Sequence, residues 1–135
     1  MDHTSTDSVI VTVETSLGID EAVAALEKAA VSEKFGVVGF HDMNATMAKK
    51  GITMERQVRI VEMCQPQIAK EVIGLEPEIS AALPCRVSVF ERDGKNWLST
   101  IRPTAMLGMF GVEGAEPMAL QIEATMLRIM EKARS

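Results

Sequence analysis

The sequence predicts a single α+β domain, an antiparallel sheet covered by helices, and three observations carry that prediction. Asp93-Gly94 lies between β-branched and aromatic runs, a strong signal for a two-residue hairpin and hence for an antiparallel strand pair. Strand-like runs alternate along the chain with segments of helical periodicity. No repeat, low-complexity stretch or linker divides the chain, and 135 residues fit one domain able to bury a core without staples.

The elements follow in order. Residues 1–7 are polar and are expected to form a disordered tail, leaving 8–135 as the domain. The β-branched run 8–14 reads as a strand. From Ile19 to about Glu33, Ile19, Val23, Leu26 and Ala30 share one helical face, with Asp20 and Glu21 in the first turn where the dipole favours them. Residues 35–43 return to strand, and their two glycines suggest a bulge or close backbone approach. Residues 44–51 form a short helix, with Asn44 as its N-cap and Gly51 as its stop. A third strand spans 56–64, and Pro66 opens a helix over 66–75. Residues 76–84 make a turn, with room for one further helical turn. The hairpin comes next, then a short apolar segment at 104–111. Pro117 opens a final helix to about Arg134, with Met118, Ile122, Met126, Ile129 and Ala133 as its stripe.

Composition narrows the function classes. Net charge is −5, from 14 Lys+Arg against 19 Asp+Glu, with no basic cluster, so nucleic acid is not expected as a partner. The start lacks a signal-peptide pattern and no apolar run is long enough to cross a bilayer, so a cytoplasmic protein with no membrane association is expected. Two cysteines there should be thiols. With ten Met, four Phe, one Trp and no Tyr, thioether side chains should do much of the packing.

The hairpin supplies the site hypothesis. A two-residue loop pairs Arg92 with Lys95, then Phe90–Trp97, Val89–Leu98, Ser88–Ser99, Val87–Thr100, Arg86–Ile101 and Cys85–Arg102. Alternation puts Cys85, Val87, Val89, Leu98, Thr100 and Arg102 on one face, the smoother apolar one, which should meet the helices. The Phe90–Trp97 pair on the other face could cover a second layer, a partner or a ligand. An opposed guanidinium would favour a Cys85 thiolate. Cys64, beside the helix opened by Pro66, could gain the same from the helix dipole.

Each sharp reading has a plain alternative. Cys64 and Cys85 could simply be small buried hydrophobes. His41, Met43, Met47, Met63 and Cys64 offer donors for copper(I), but their spacing matches no metal motif, and core filling explains the methionines; no metal or cofactor is expected. His41 could be a general base, though a histidine satisfied by a backbone carbonyl is the simpler reading. Residues 108–114 hold three glycines without the pattern of a phosphate loop. Met106, Leu107, Met109 and Phe110 are many apolar groups for one short turn; they could cap the core, rim a pocket or meet a second subunit.

Several stretches together resemble the bacterial and archaeal domain-of-unknown-function family 302. They are the strand end Cys64-Gln65-Pro66, the helix with Ala69, the run Leu83-Pro84-Cys85-Arg86-Val87, the hairpin closing at Arg102-Pro103, and "AKKGI" before the third strand. Gln65 stands where the family usually shows Asn. The resemblance runs from Val9 to the final helix. It implies a small α+β protein with a TATA-box-binding-protein-like arrangement of sheet and helices, a tendency to dimerise, and no agreed activity.

The reading that results is a homodimeric small-ligand-binding module and not an enzyme. Its pocket would lie near Cys64, Cys85 and Arg102 and hold a small anionic or thiol-reactive ligand. The alternatives are a thiol-based redox or sulfur-handling protein using Cys85 and Cys64, and a structural dimer whose cysteines only pack.

Overall fold

The computed structural model describes residues 8–135; the expected disordered tail lies outside them. The strands are β1 (Ile10–Thr15), β2 (Gly36–Asp42), β3 (Val58–Cys64), β4 (Cys85–Arg92) and β5 (Lys95–Ile101). The helices are α1 (Ile19–Ser32), α2 (Met43–Lys49), α3 (Pro66–Leu75), α4 (Pro103–Gly108) and α5 (Ala115–Ala133), with a 3-10 helix at Pro77–Ala82. All five strands join one antiparallel sheet in the order β1-β5-β4-β3-β2.

The hairpin forms as its turn chemistry dictates. Asp93 and Gly94 both take positive φ, 56° and 75°, which a tight I′-type turn requires. Arg92 faces Lys95, and the register holds through Phe90–Trp97 and Val89–Leu98 to Ser88–Ser99. Cys85, Val87, Val89, Leu98 and Thr100 are buried, so this face does carry the helices. Val11, Val13, Val61 and Met63 extend it into the neighbouring strands. Leu26 of α1, Val72 of α3, and Met126 and Ile129 of α5 close over it. Three of the ten methionines, Met63, Met126 and Met130, are core residues, while Met109 is 79% exposed. Aliphatic side chains therefore do more of the packing than the composition suggested. The expected bulge is present, as a register shift between Val37 and Gly39.

Two helix starts differ from expectation. Asp42, not Asn44, caps α2, its Oδ1 accepting from the Ala45 N–H at 3.0 Å. Asn44 lies inside the helix and holds the following loop instead. Its amide donates to the carbonyls of Met54 and Arg56, and its oxygen accepts from Val58 N–H and the Arg59 guanidinium. The final helix begins at Ala115, two residues before Pro117, because Gly114 at φ 90° turns the chain into it. Proline is tolerated there because first-turn N–H groups have no intrahelical acceptor. The apolar segment after the hairpin is itself helical, as α4.

Candidate functional site

The cysteines meet at one end of the sheet. Cys85 opens β4 opposite Met63 of β3, and Cys64 is the last residue of β3. Met63, Cys64 and Cys85 line one crevice of about 10 Å³ together with Phe35, Ile68 and Ile122. That is space for roughly one water molecule. Cys85 is buried and Cys64 half-buried, and both are free thiols. Burial pushes the Cys85 thiol up to about 11, and the proximity of Cys64 adds to the shift. Burial raises the Cys64 thiol as well, so the start of α3 does not produce the expected thiolate. Gln65 caps α3, its Oε1 accepting from Ile68 N–H at 2.7 Å.

Arg102 is not the partner of Cys85. β5 ends at Ile101, and the chain continues along β1, where Arg102 N–H donates to the Val9 carbonyl at 2.8 Å. Its guanidinium donates to the Ser8 carbonyl at 2.7 Å and pairs with Glu123 of α5 at 3.3 Å. No cation figures among the causes of the Cys85 shift. The expectation of a guanidinium-stabilised Cys85 thiolate is thereby overturned, because edge-strand pairing and α5 recruit Arg102 elsewhere.

A larger cavity lies between α4 and α5. Its volume is about 520 Å³. Leu107, Ala115, Ala119 and Leu120 supply its apolar wall, and Thr104, Glu113, Glu116 and Glu123 its polar groups. Small residues open it, with Gly108 and Gly111 on the α4 side facing Ala115 and Ala119 on α5. A Cβ built at Gly108 would touch nothing within 4 Å. Glu123 is fixed at the wall by the Arg102 pair and by Thr104, whose hydroxyl and N–H donate to Oε1 at 2.6 and 3.2 Å. Of the four apolar residues singled out in this segment, only Leu107 lines the cavity. Met106 borders a separate hollow of about 100 Å³ beside Leu83, Pro84 and Ile101. Phe110 packs partly against the core, and Met109 projects into solvent. The sequence signal for this hollow is the set of small residues at 108, 111, 115 and 119, which the bulky apolar groups beside them mask.

The opposite sheet face carries the remaining candidates. Phe90 and Trp97 are cross-strand neighbours, and the Arg92 guanidinium lies over both rings, 5.4 and 4.9 Å from their centroids. This covers Trp97, whose Nε1–H donates to the Arg92 carbonyl at 3.1 Å. His41 Nε2 lies 3.0 Å from Glu62 Oε1, so a carboxylate satisfies it rather than the backbone carbonyl expected. Arg86, 2.8 Å from the other oxygen, is the main cause holding the Glu62 carboxyl below its ordinary value, with His41 second. Met43 and Met47 sit on α2. Among the described residues, no group of three or more His, Cys, Asp or Glu side chains is arranged to hold a metal. None of the described helices is long and apolar enough to cross a membrane.

The comparisons agree with this architecture. A family model for a domain of unknown function, DUF302, matches residues 11–133. No curated protein matches the chain. Among solved structures, the crystal structure of an uncharacterized conserved DUF302 protein from Bacillus stearothermophilus superposes with a TM-score of 0.88. Its identity is 26%, over 93% of this chain and 98% of that one.

Proposed function

Because the chain belongs to the DUF302 family, which brings a fold and no stated activity, we propose a function from the site itself: a small-ligand-binding module whose site is the cavity between α4 and α5. The observation that carries this reading is the cavity's size and make-up. About 520 Å³ falls within the range of small-molecule pockets. An apolar wall with a few fixed polar groups is the usual composition of such a site. Arg102 contributes by fixing Glu123, not by meeting the ligand beside a cysteine. The small anion expected from the sequence would here face Glu113, Glu116 and Glu123, so the lining favours a neutral or cationic ligand with an apolar body.

A thermal-shift screen of such compounds tests the reading, with Gly108→Leu and Ala119→Leu filling the cavity from its two sides. Compounds should raise the melting temperature of the parent and lose that effect in the filled variants. Shifts of equal size in parent and both variants would place binding elsewhere and overturn the reading.

The redox alternative draws support from the shared cysteine crevice, but the raised Cys85 thiol works against a nucleophilic role. For the homodimer, the surface that supports it best is the sheet face away from the helices. Ile10 and Ile101 are cross-strand neighbours there, 48% and 45% exposed. Arg86 with Glu62, and Lys95 with Glu14, bring both signs of charge to the sheet, as a self-complementary contact needs. Light scattering after size exclusion should give a dimer, and Ile101→Asp a monomer. A parent that remains monomeric at its highest attainable concentration would exclude it.

A further inference from the structure

We propose that the crevice at the end of β3 and β4 is a binding site for one soft monovalent metal ion, copper(I) or silver(I), held by Cys64 and Cys85 with Met63 as a third sulfur donor. Met63 and Cys85 are opposed in the β3–β4 register on the helix-covered face, and Cys64, the last residue of β3, borders the same crevice from the strand end. All three line the same crevice. Its volume, about 10 Å³, admits an atom and excludes an organic ligand.

The donor chemistry selects the ion. Thiolate and thioether groups prefer copper(I) over hard cations, which require carboxylate, carbonyl or water oxygens. The polar side chain on the lining is Gln65, and its oxygen is already committed to Ile68 N–H. The remaining neighbours, among them Phe35, Ile68 and Ile122, are apolar and would shield a bound ion from water. Cys64, half-buried at the strand end, gives the approach from solvent. The ion would also supply the positive charge that Arg102 does not bring to Cys85. Binding releases the thiol protons to solvent, and the metal enters and stays in the +1 state, so no oxidant or reductant takes part.

This donor set differs from the one suggested by residue spacing. His41 points to Glu62 on the sheet face away from the helices, and Met43 and Met47 lie on α2, so they do not join Cys64. The site is also separate from the α4–α5 cavity, whose lining shares no residue with the crevice.

The test is an anaerobic titration of fully reduced protein against the copper(I)–bathocuproine complex. The parent should withdraw one copper per chain, and loaded protein should be protected from iodoacetamide at both thiols. Cys64→Ser and Cys85→Ala should each weaken retention by about tenfold or more, and Met63→Leu by less. Cys64 is half-buried, so its serine variant keeps the test valid even where Cys85→Ala disturbs folding, and circular dichroism checks that it is folded. Failure of the parent to take copper from the competitor overturns the proposal. So does retention by Cys64→Ser equal to the parent's, which would assign the copper to other methionines.

Discussion

Arg102 and Glu123 form an ion pair across the α4–α5 corner, 3.3 Å between Nη1 and Oε2, with side chains 13% and 14% exposed. Arg102 is the residue at which β5 gives way to α4, and Glu123 lies at the middle of α5. The same carboxylate accepts from Thr104 N–H and hydroxyl, satisfying part of the α4 N-terminus, which has no side-chain cap of its own. One glutamate thus secures the sheet end, the short helix and the long helix at the wall of the cavity.

Arg102→Ala should therefore destabilise the protein through a named mechanism: a mostly buried carboxylate left without its cation. The expected loss is about 3 kcal/mol, or a melting temperature lower by roughly 10 °C. Glu123→Gln should cost less than Glu123→Ala, since an amide oxygen still accepts from Thr104. Urea denaturation followed by circular dichroism reads both. A loss in Arg102→Ala below about 0.5 kcal/mol would mean that the pair is a loose surface contact.

Asn44 gives a second contrast, because its neighbour Asp42 performs the capping role. Removing a cap side chain costs about 1 kcal/mol. Asn44 instead closes four hydrogen bonds to the 54–59 segment, which leads into β3. Asn44→Ala leaves the Met54 and Arg56 carbonyls and the Val58 N–H without this partner. It should cost about 2–3 kcal/mol, more than Asp42→Ala. Equal losses in the two variants, measured by chemical denaturation, would reduce Asn44 to a helix-surface residue.

Gly39 allows Glu62 to sit where it does. A Cβ on residue 39 would collide with Glu62 Oε1, the oxygen that His41 also meets. Gly39→Ala should displace the carboxylate from its partners at a cost of about 1 kcal/mol. The Glu62 carboxyl, held low in the parent by Arg86 and His41, should return toward its ordinary 4.5. The sign follows from the direction of the shift. A depressed carboxyl contributes stability above its ordinary value, and that contribution is lost as pH falls through the folded value. The variant should accordingly lose less stability on acidification than the parent. NMR titration of the Glu62 carboxyl reads the shift directly, and an unchanged value in Gly39→Ala would sink this account.

Local chemistry made most of the fold legible. Asp93-Gly94 set the hairpin register because the tight turn it forms takes positive φ at both positions, which Asp and Gly tolerate. Gln65-Pro66 marked the start of α3 because proline and a side-chain acceptor both belong there. The site was less legible, since its deciding contacts are distant in sequence. Extending the hairpin register placed Arg102 opposite Cys85, but β1 extends along the same edge and α5 offers Glu123. Neither competitor shows in the periodicity of residues 85–102. The α4–α5 cavity arises from what is missing, side-chain volume at Gly108, Gly111, Ala115 and Ala119, and absent volume carries no reactive group or periodicity in the sequence. The joint crevice of Cys64 and Cys85 was open in the sequence because it depends on β3 and β4 being neighbours in register.

The Cys85 thiol permits a prediction with a definite pH window. An ordinary thiol ionises near 9.0, and burial moves Cys85 to about 11. Between these values the unfolded chain has released a proton that the folded protein still holds. Stability is therefore complete below pH 9 and falls as pH rises toward 11, by about 1.4 kcal/mol per pH unit and about 2–3 kcal/mol in all. Cys85→Ala removes the titrating group, so the parent should lose more stability than the variant across this window, which cancels contributions from lysines that titrate in the same range. Iodoacetamide provides the kinetic counterpart, since the thiolate is the reacting species. Cys85 in native, metal-free protein should label far more slowly at pH 8 than a cysteine in an unstructured peptide, with half-buried Cys64 between them. Equal pH slopes in parent and Cys85→Ala would show that folding leaves the thiol unshifted, and peptide-like labelling of Cys85 at neutral pH would show that the folded protein exposes a reactive thiolate and would favour the redox alternative.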